Sequence, residues 1–125
     1  MYNDRIARQE EAIVHRYKRD CMAIEDKQDA VKKAQYTLQE IDDAMMASAT
    51  RLHDRLMLYI DNTRDSFTHQ RVSTSLNEIV FSHGYAMNEI AEYQDELTRE
   101  QRKLVREREE REKSYREELR KLDDK

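Results

Sequence analysis

The chain has 125 residues, of which 40% are charged and 38% apolar, with one glycine and no proline. Residues that break helices are therefore nearly absent, and the apolar fraction suits narrow seams between helices better than a thick globular core. The net charge is −4, and neither sequence half is basic, which excludes the clustered Lys and Arg of a nucleic-acid site and argues against binding to anionic membranes.

The first predicted element is a helix over about residues 4–61. Its apolar or small residues recur in steps of three, four or seven, the spacing of a heptad seam on one helix face. They are Ile6, Ile13, Tyr17, Cys21, Ile24, Val31, Ala34, Leu38, Ile41, Met45, Ala49, Leu52, Leu56 and Tyr59.

A turn is predicted at about residues 62–66. The segment from Asp61 to Ser66 is rich in Asn, Asp and Ser, whose side chains hydrogen-bond the backbone and cap helices. A capping box at residues 75–78 is an alternative helix start, but it would leave an unusually long loop.

A second helix is predicted over about residues 67–123. Its seam is Val72, Leu76, Ile79, His83, Ala86, Ile90, Tyr93, Leu97, Leu104, Tyr115, Leu119 and Leu122. The charged stretch between Leu104 and Tyr115 places Glu four residues before Arg or Lys, which favours a solvated helix face over a docking strip. The pairs are Glu107/Arg111, Glu109/Lys113, Glu112/Arg116 and Glu117/Lys121.

These elements predict an all-α fold: one elongated domain, 1–125, folded as an antiparallel two-helix hairpin of coiled-coil type. Folding at the turn pairs Ile13 with Tyr115 and brings the apolar-rich stretches 44–60 and 67–90 together. The few apolar residues near the start of the first helix also pair with the few near the end of the second helix. A parallel dimer would not require this match, so a hairpin is favoured.

No catalytic, cofactor or metal site is predicted, and the chain is not expected to be an enzyme. Lone Cys21 excludes an internal disulfide, and the four histidines have no partners at metal-ligand spacing. We predict that His83, on the seam, is a polar residue with its hydrogen bonds satisfied rather than a functional switch. The carboxylates are too regularly paired with bases for any two to be nominated as acid and base.

A partner-binding surface is predicted near the turn, because the apolar residues there exceed what one two-helix seam covers. Flexible methionines suit such an interface, and self-association into a four-helix bundle would cover the same surface. For the glycine of the set, a close helix crossing is favoured over a kink. The predicted surface comprises Met45, Met57, Ile60, Phe67, Val80, Phe81, Gly84 and Met87.

The charged helical sequence of residues 93–104 and 109–119 resembles that of the small LXG-associated helical proteins of Gram-positive type VII secretion. The resemblance implies an adaptor or targeting chaperone that binds the helical LXG region of a toxin, together with a second small helical protein, and directs it to the secretion machinery. Tyr85 and Glu89 match the Tyr-x-x-x-Asp/Glu export motif of that class, as do Tyr36 and Glu40.

Two alternatives remain open: a FliJ-like coiled coil of flagellar or type III export, and a structural homo-oligomeric coiled coil. No apolar stretch follows the N-terminus that could serve as a signal peptide or membrane span. We therefore expect cytoplasmic residence without membrane insertion, and, if the resemblance holds, export with the partner without a cleaved signal peptide.

Overall fold

The computed structural model describes residues 2–124 and is 97% helical. Helix α1 spans Tyr2–Asn62 and helix α2 spans Ser66–Asp123. The two helices pack against each other as an all-α helical hairpin, which confirms the predicted fold class. The linker is only three residues long, 63–65, and lies within the predicted turn.

Side chains close the helix ends at this turn. Asn62 Nδ2 donates to the carbonyl of Leu58 at 2.9 Å, which satisfies an acceptor in the last turn of α1. Asp65 caps α2, because its carboxylate accepts from the hydroxyl of Thr68 at 2.7 Å and from the amide of Phe67 at 3.2 Å. These hydrogen bonds, that from Thr68 first, favour the ionised form and lower the pKa of Asp65.

The chain packs as two compact units, and each contains part of both helices. We call residues 34–96 the turn unit, and the described residues of the other two segments, 2–33 and 97–124, the terminal unit.

The terminal unit holds a small apolar core. Ile24 and Val31 from α1 cluster with Leu104 from α2, and Leu97 packs against them. Leu104 is 1% exposed. This core follows the heptad spacing that predicts the seam.

Charged residues of α2 also pair across the helices in the terminal unit. Arg108 lies 2.9 Å from Glu25 and Arg111 lies 3.6 Å from Asp20, while Arg16 pairs with Glu118. The charged stretch stays largely exposed, as predicted, but Arg108 and Arg111 also pair with carboxylates of the other helix, which the sequence did not predict. Of the predicted pairs four residues apart, Glu112/Arg116 forms, at 2.6 Å.

A stacked pair of tyrosines shows the register of the helices in this unit. The Tyr17 and Tyr115 rings are parallel within 10°, with centroids 4.1 Å apart. Tyr115 therefore stacks one helical turn beyond Ile13, its predicted partner. The half-buried seam residue Cys21 shares a hydrogen bond with Tyr17, which raises the pKa of that phenol.

In the turn unit the seam is more polar than predicted. Asp42 is half-buried on the seam, whereas the predicted Ile41 is 44% exposed. Both positions lie three or four residues from Leu38 and Met45, so spacing permits either. Likewise Gln94 replaces the exposed Tyr93, and Leu52 and Tyr59 are exposed.

Candidate partner-binding surface

Large exposed apolar side chains are concentrated in the turn unit. Among the described residues fourteen are exposed, and only Met22 and Val105 belong to the terminal unit. Within residues 34–96, all of which the structure describes, Ile90 is the only buried apolar residue. The other twelve exposed residues are Tyr36, Ile41, Met46, Leu52, Met57, Leu58, Tyr59, Phe67, Val80, Phe81, Tyr85 and Tyr93.

An open groove with a volume of about 580 Å³ runs between the helices of the turn unit. Most of its lining side chains are small or apolar, so neither helix fills it. The lining is Ala44, Met45, Ser48 and Ala49 of α1 with Glu78, Ile79, Ser82 and His83 of α2.

His83 lies in this groove with an unmet hydrogen bond. Its Nε2 atom is buried and has no partner among the described residues. The prediction of a satisfied seam histidine is therefore wrong for this atom, because none of the polar side chains in the groove, Ser48, Glu78 and Ser82, bonds to it. Burying a polar atom without a partner costs free energy, so a bound molecule that supplied one would gain.

The outer face of α2 carries three exposed aromatic residues: Phe67, Phe81 and Tyr85. Phe67 and Phe81 are two heptads apart, and Tyr85 follows Phe81 by one turn, so the three share one stripe. Phe81 is 78% exposed. The guanidinium of Arg71 lies 5.7 Å from the Phe67 ring centroid, a cation–π contact.

A second stripe of α2 contains Val80, Gly84 and Met87, again in steps of four and three. A Cβ added to Gly84 would meet nothing within 4 Å. Helix α1 therefore makes no close crossing at this glycine, and a crossing by a partner helix stays a prediction. Its backbone remains accessible, since the residue is exposed.

The predicted residues of α1 have different environments. Met57 is exposed, and Met45 is half-buried in the groove. Ile60 is also half-buried, and its carbonyl accepts from His69 Nε2 at 2.9 Å, which links the two helices next to the turn. The eight predicted residues thus lie in one unit but on several faces, and their role in binding stays a prediction.

Tyr85 and Glu89 are joined on the surface. Their side chains form a hydrogen bond, which together with the nearby carboxylate charge raises the pKa of Tyr85. The other match to the motif contains Tyr36, which is exposed. An export role for either pair stays a prediction.

The two units differ in charge, and this difference is invisible when the sequence is divided into halves. Residues 34–96 hold eleven carboxylates and four arginines, a net charge of −7, with no lysine. The terminal unit, residues 2–33 and 97–124, holds eighteen basic and sixteen acidic residues, a net charge of +2. The apolar surface therefore lies on an acidic unit.

Other kinds of site have no support in the described residues. Across 2–124 no three His, Cys, Asp or Glu side chains converge to hold a metal ion. None of the described helices is long and apolar enough to cross a membrane. No family model, curated protein or solved structure matches this chain.

Proposed function

We propose that this protein is a non-catalytic helical adaptor that binds a helical partner through its turn unit. The observation that carries the proposal is the unequal distribution of apolar surface: twelve of the fourteen large exposed apolar side chains belong to that unit. Concentrated exposed apolar surface is typical of interaction sites, because leaving it in water forgoes its burial energy.

The composition of the surface suits a helical partner. Heptad-spaced Phe and Tyr side chains provide fixed apolar anchors, and methionines adapt to irregular neighbours. The turn unit contains four of the six methionines of the chain.

We propose further that the partner is the helical LXG region of a type VII secretion toxin, bound in the cytoplasm and directed to the secretion machinery. This step rests on the resemblance of residues 93–104 and 109–119 to small LXG-associated proteins. A second small helical protein in the complex, and joint export, belong to the same proposal.

The test is co-purification with an LXG toxin of the native host, and an LXG toxin gene beside this one would support the proposal. Phe81→Asp places a charge on the exposed aromatic stripe, and we expect it to abolish the complex. We expect the same of Met57→Asp. Met22→Asp is the matched control, because Met22 is 63% exposed but belongs to the terminal unit. Circular dichroism should show equal helicity for all variants.

Three results would contradict the proposal: no complex with wild-type protein, equal loss for Met22→Asp, or unchanged binding for both turn-unit variants. Flagellar genes beside this one would favour the FliJ-like alternative. The surface would instead be a contact between copies of this chain if the molecular mass of the wild type doubled with concentration and the turn-unit variants, but not Met22→Asp, stayed monomeric.

A further inference from the structure

We propose that the occupant of the groove in the turn unit is a basic amphipathic helix, with apolar residues on one face and Lys or Arg along its flanks. This inference rests on the proposed adaptor function and adds the chemistry of the partner segment.

The groove has a lining that suits a helix. Ala44, Ser48 and Ala49 form its α1 wall and Ser82 part of its α2 wall. Because these side chains are short, a third helix can bring its own larger apolar side chains close to both backbones. Met45 and Ile79 provide apolar contacts at the base of the groove.

Charge determines which kind of helix fits. Glu78 lines the groove, and Glu89, bonded to Tyr85, lies on the same helix three turns further on. The whole turn unit carries −7, because four arginines and no lysine stand against eleven carboxylates. A partner with Lys or Arg beside its apolar face gains charge complementarity along the entire contact.

The same charge argues against a second copy of this chain as the occupant. Docking two turn units face to face would bring two surfaces of −7 together, and close like charges oppose association. In the terminal unit of a second copy, three arginines, Arg16, Arg108 and Arg111, are already paired with carboxylates of their own chain.

The test uses three fluorescent three-heptad peptides and the full chain. The first has Leu at the seam positions and Lys on the flanks, the second replaces every Lys by Glu, and the third has the composition of the first with its Leu positions scrambled. Anisotropy titrations at about 0.05 M and about 0.5 M NaCl, where charges are screened very differently, measure affinity.

We expect the Lys peptide to bind at least about tenfold more tightly than the Glu peptide at low salt, since several partly exposed charge pairs contribute together. High salt should reduce this ratio. The scrambled peptide should bind more than about tenfold more weakly than the first, because it has no continuous apolar face for the groove.

Variants locate the site. Ala44→Trp fills the groove and should abolish binding, whereas Ala23→Trp, at an exposed position of the terminal unit, should not. Glu78→Lys should weaken binding of the Lys peptide by about fivefold at low salt, from the loss of one charge pair and the added repulsion. Glu109→Lys is the control of equal charge change in the terminal unit.

Equal affinity for the Lys and Glu peptides would overturn the inference. So would binding to the Ala44→Trp variant, or a Lys peptide that fails to bind the wild type at about millimolar concentration. Each of these results leaves the adaptor proposal intact if the toxin still co-purifies and Phe81→Asp still abolishes the complex. Loss of co-purification alone would instead overturn the adaptor proposal.

Discussion

The terminal and turn units use the same secondary structure but meet the requirements of packing differently. In the terminal unit, Leu104 is buried in an apolar cluster, a tyrosine stack spans the helices, and arginines of α2 pair with carboxylates of α1. In the turn unit a groove with mostly small or apolar lining separates the helices, and Asp42 and His83 each bury a polar atom without a partner among the described residues, whereas the terminal unit has one such atom, on Gln101. The same hairpin thus buries an apolar cluster in one unit and leaves most large apolar side chains of the other unit exposed.

The largest effect that tests this comparison is loss of the Leu104 side chain. Leu104→Ala should destabilise the chain by about 3 kcal/mol, because it removes buried apolar area and leaves a cavity. Leu58→Ala, at a side chain that is 62% exposed, should change stability by less than about 0.5 kcal/mol. Urea unfolding followed by circular dichroism measures both, and equal losses would contradict the difference between the units.

A smaller effect, of opposite sign, should come from Asp42. Its Oδ1 atom is buried without a partner among the described residues, so Asp42→Leu should stabilise the free chain by about 1 kcal/mol. Asp43→Leu is the matched control, since Asp43 is exposed and accepts from Gln39 at 3.1 Å. Destabilisation by Asp42→Leu alone would show that the carboxylate serves the fold.

Gly84→Ala should also stabilise the free chain, by about 0.5–1 kcal/mol, because alanine loses less backbone entropy in a helix and its Cβ meets nothing within 4 Å. The reverse change at the exposed Ala91 of the same helix, Ala91→Gly, should cost a similar amount. Thermal unfolding of both variants measures this. Destabilisation of the free chain by Gly84→Ala would contradict the open space around this glycine.

The ion pairs of the terminal unit should contribute less. A double-mutant cycle on Arg108 and Glu25 should give about 0.2–1 kcal/mol, because both side chains remain about half exposed. The coupling should shrink in high salt. A value that salt does not change would indicate that packing of the side-chain stems, rather than charge, joins the helices there.

The smallest expected effect is a pH dependence of the cap at the turn. The pKa of Asp65 is lowered in the folded chain, so its stabilisation is present above the unfolded pKa and is lost as pH falls through the folded value. Asp65→Asn keeps an acceptor for the cap but does not titrate there. The melting-temperature difference between wild type and this variant should therefore change in acid, and a constant difference would contradict the assignment.

Much of the fold could be predicted from the sequence, because heptad spacing and the scarcity of glycine and proline leave few alternatives to long helices. The position of the turn could also be predicted, since Asn62 and Asp65 have side chains that cap helix ends. Spacing could not choose between Ile41 and Asp42, because both are within a three- or four-residue step of the same seam neighbours. The apolar residue was assigned to the seam, but the acidic one lies there.

The ion pairs and the acidic surface could not be predicted from the sequence, because both depend on how the two helices pack. Pairing Arg111 with Asp20 requires the exact register of the helices, and the predicted register was approximate: Tyr115 lies near Ile13, as predicted, but stacks on Tyr17, one helical turn further on. The charge of −7 requires knowing that residues 34–96 form one unit. Counting by sequence halves divides this unit and combines each part with a more basic segment.

The absence of lysine from residues 34–96 has a practical consequence. Seven of the eight lysines belong to the terminal unit and the eighth, Lys125, lies outside the described residues, so acetylation or ubiquitination of lysine side chains cannot modify the turn unit directly. In the laboratory, the protein can be biotinylated or immobilised through these amines without altering any side chain of the turn unit. Trypsin would release most of α2 in that unit as one peptide, because no Lys or Arg lies between Arg71 and Arg99.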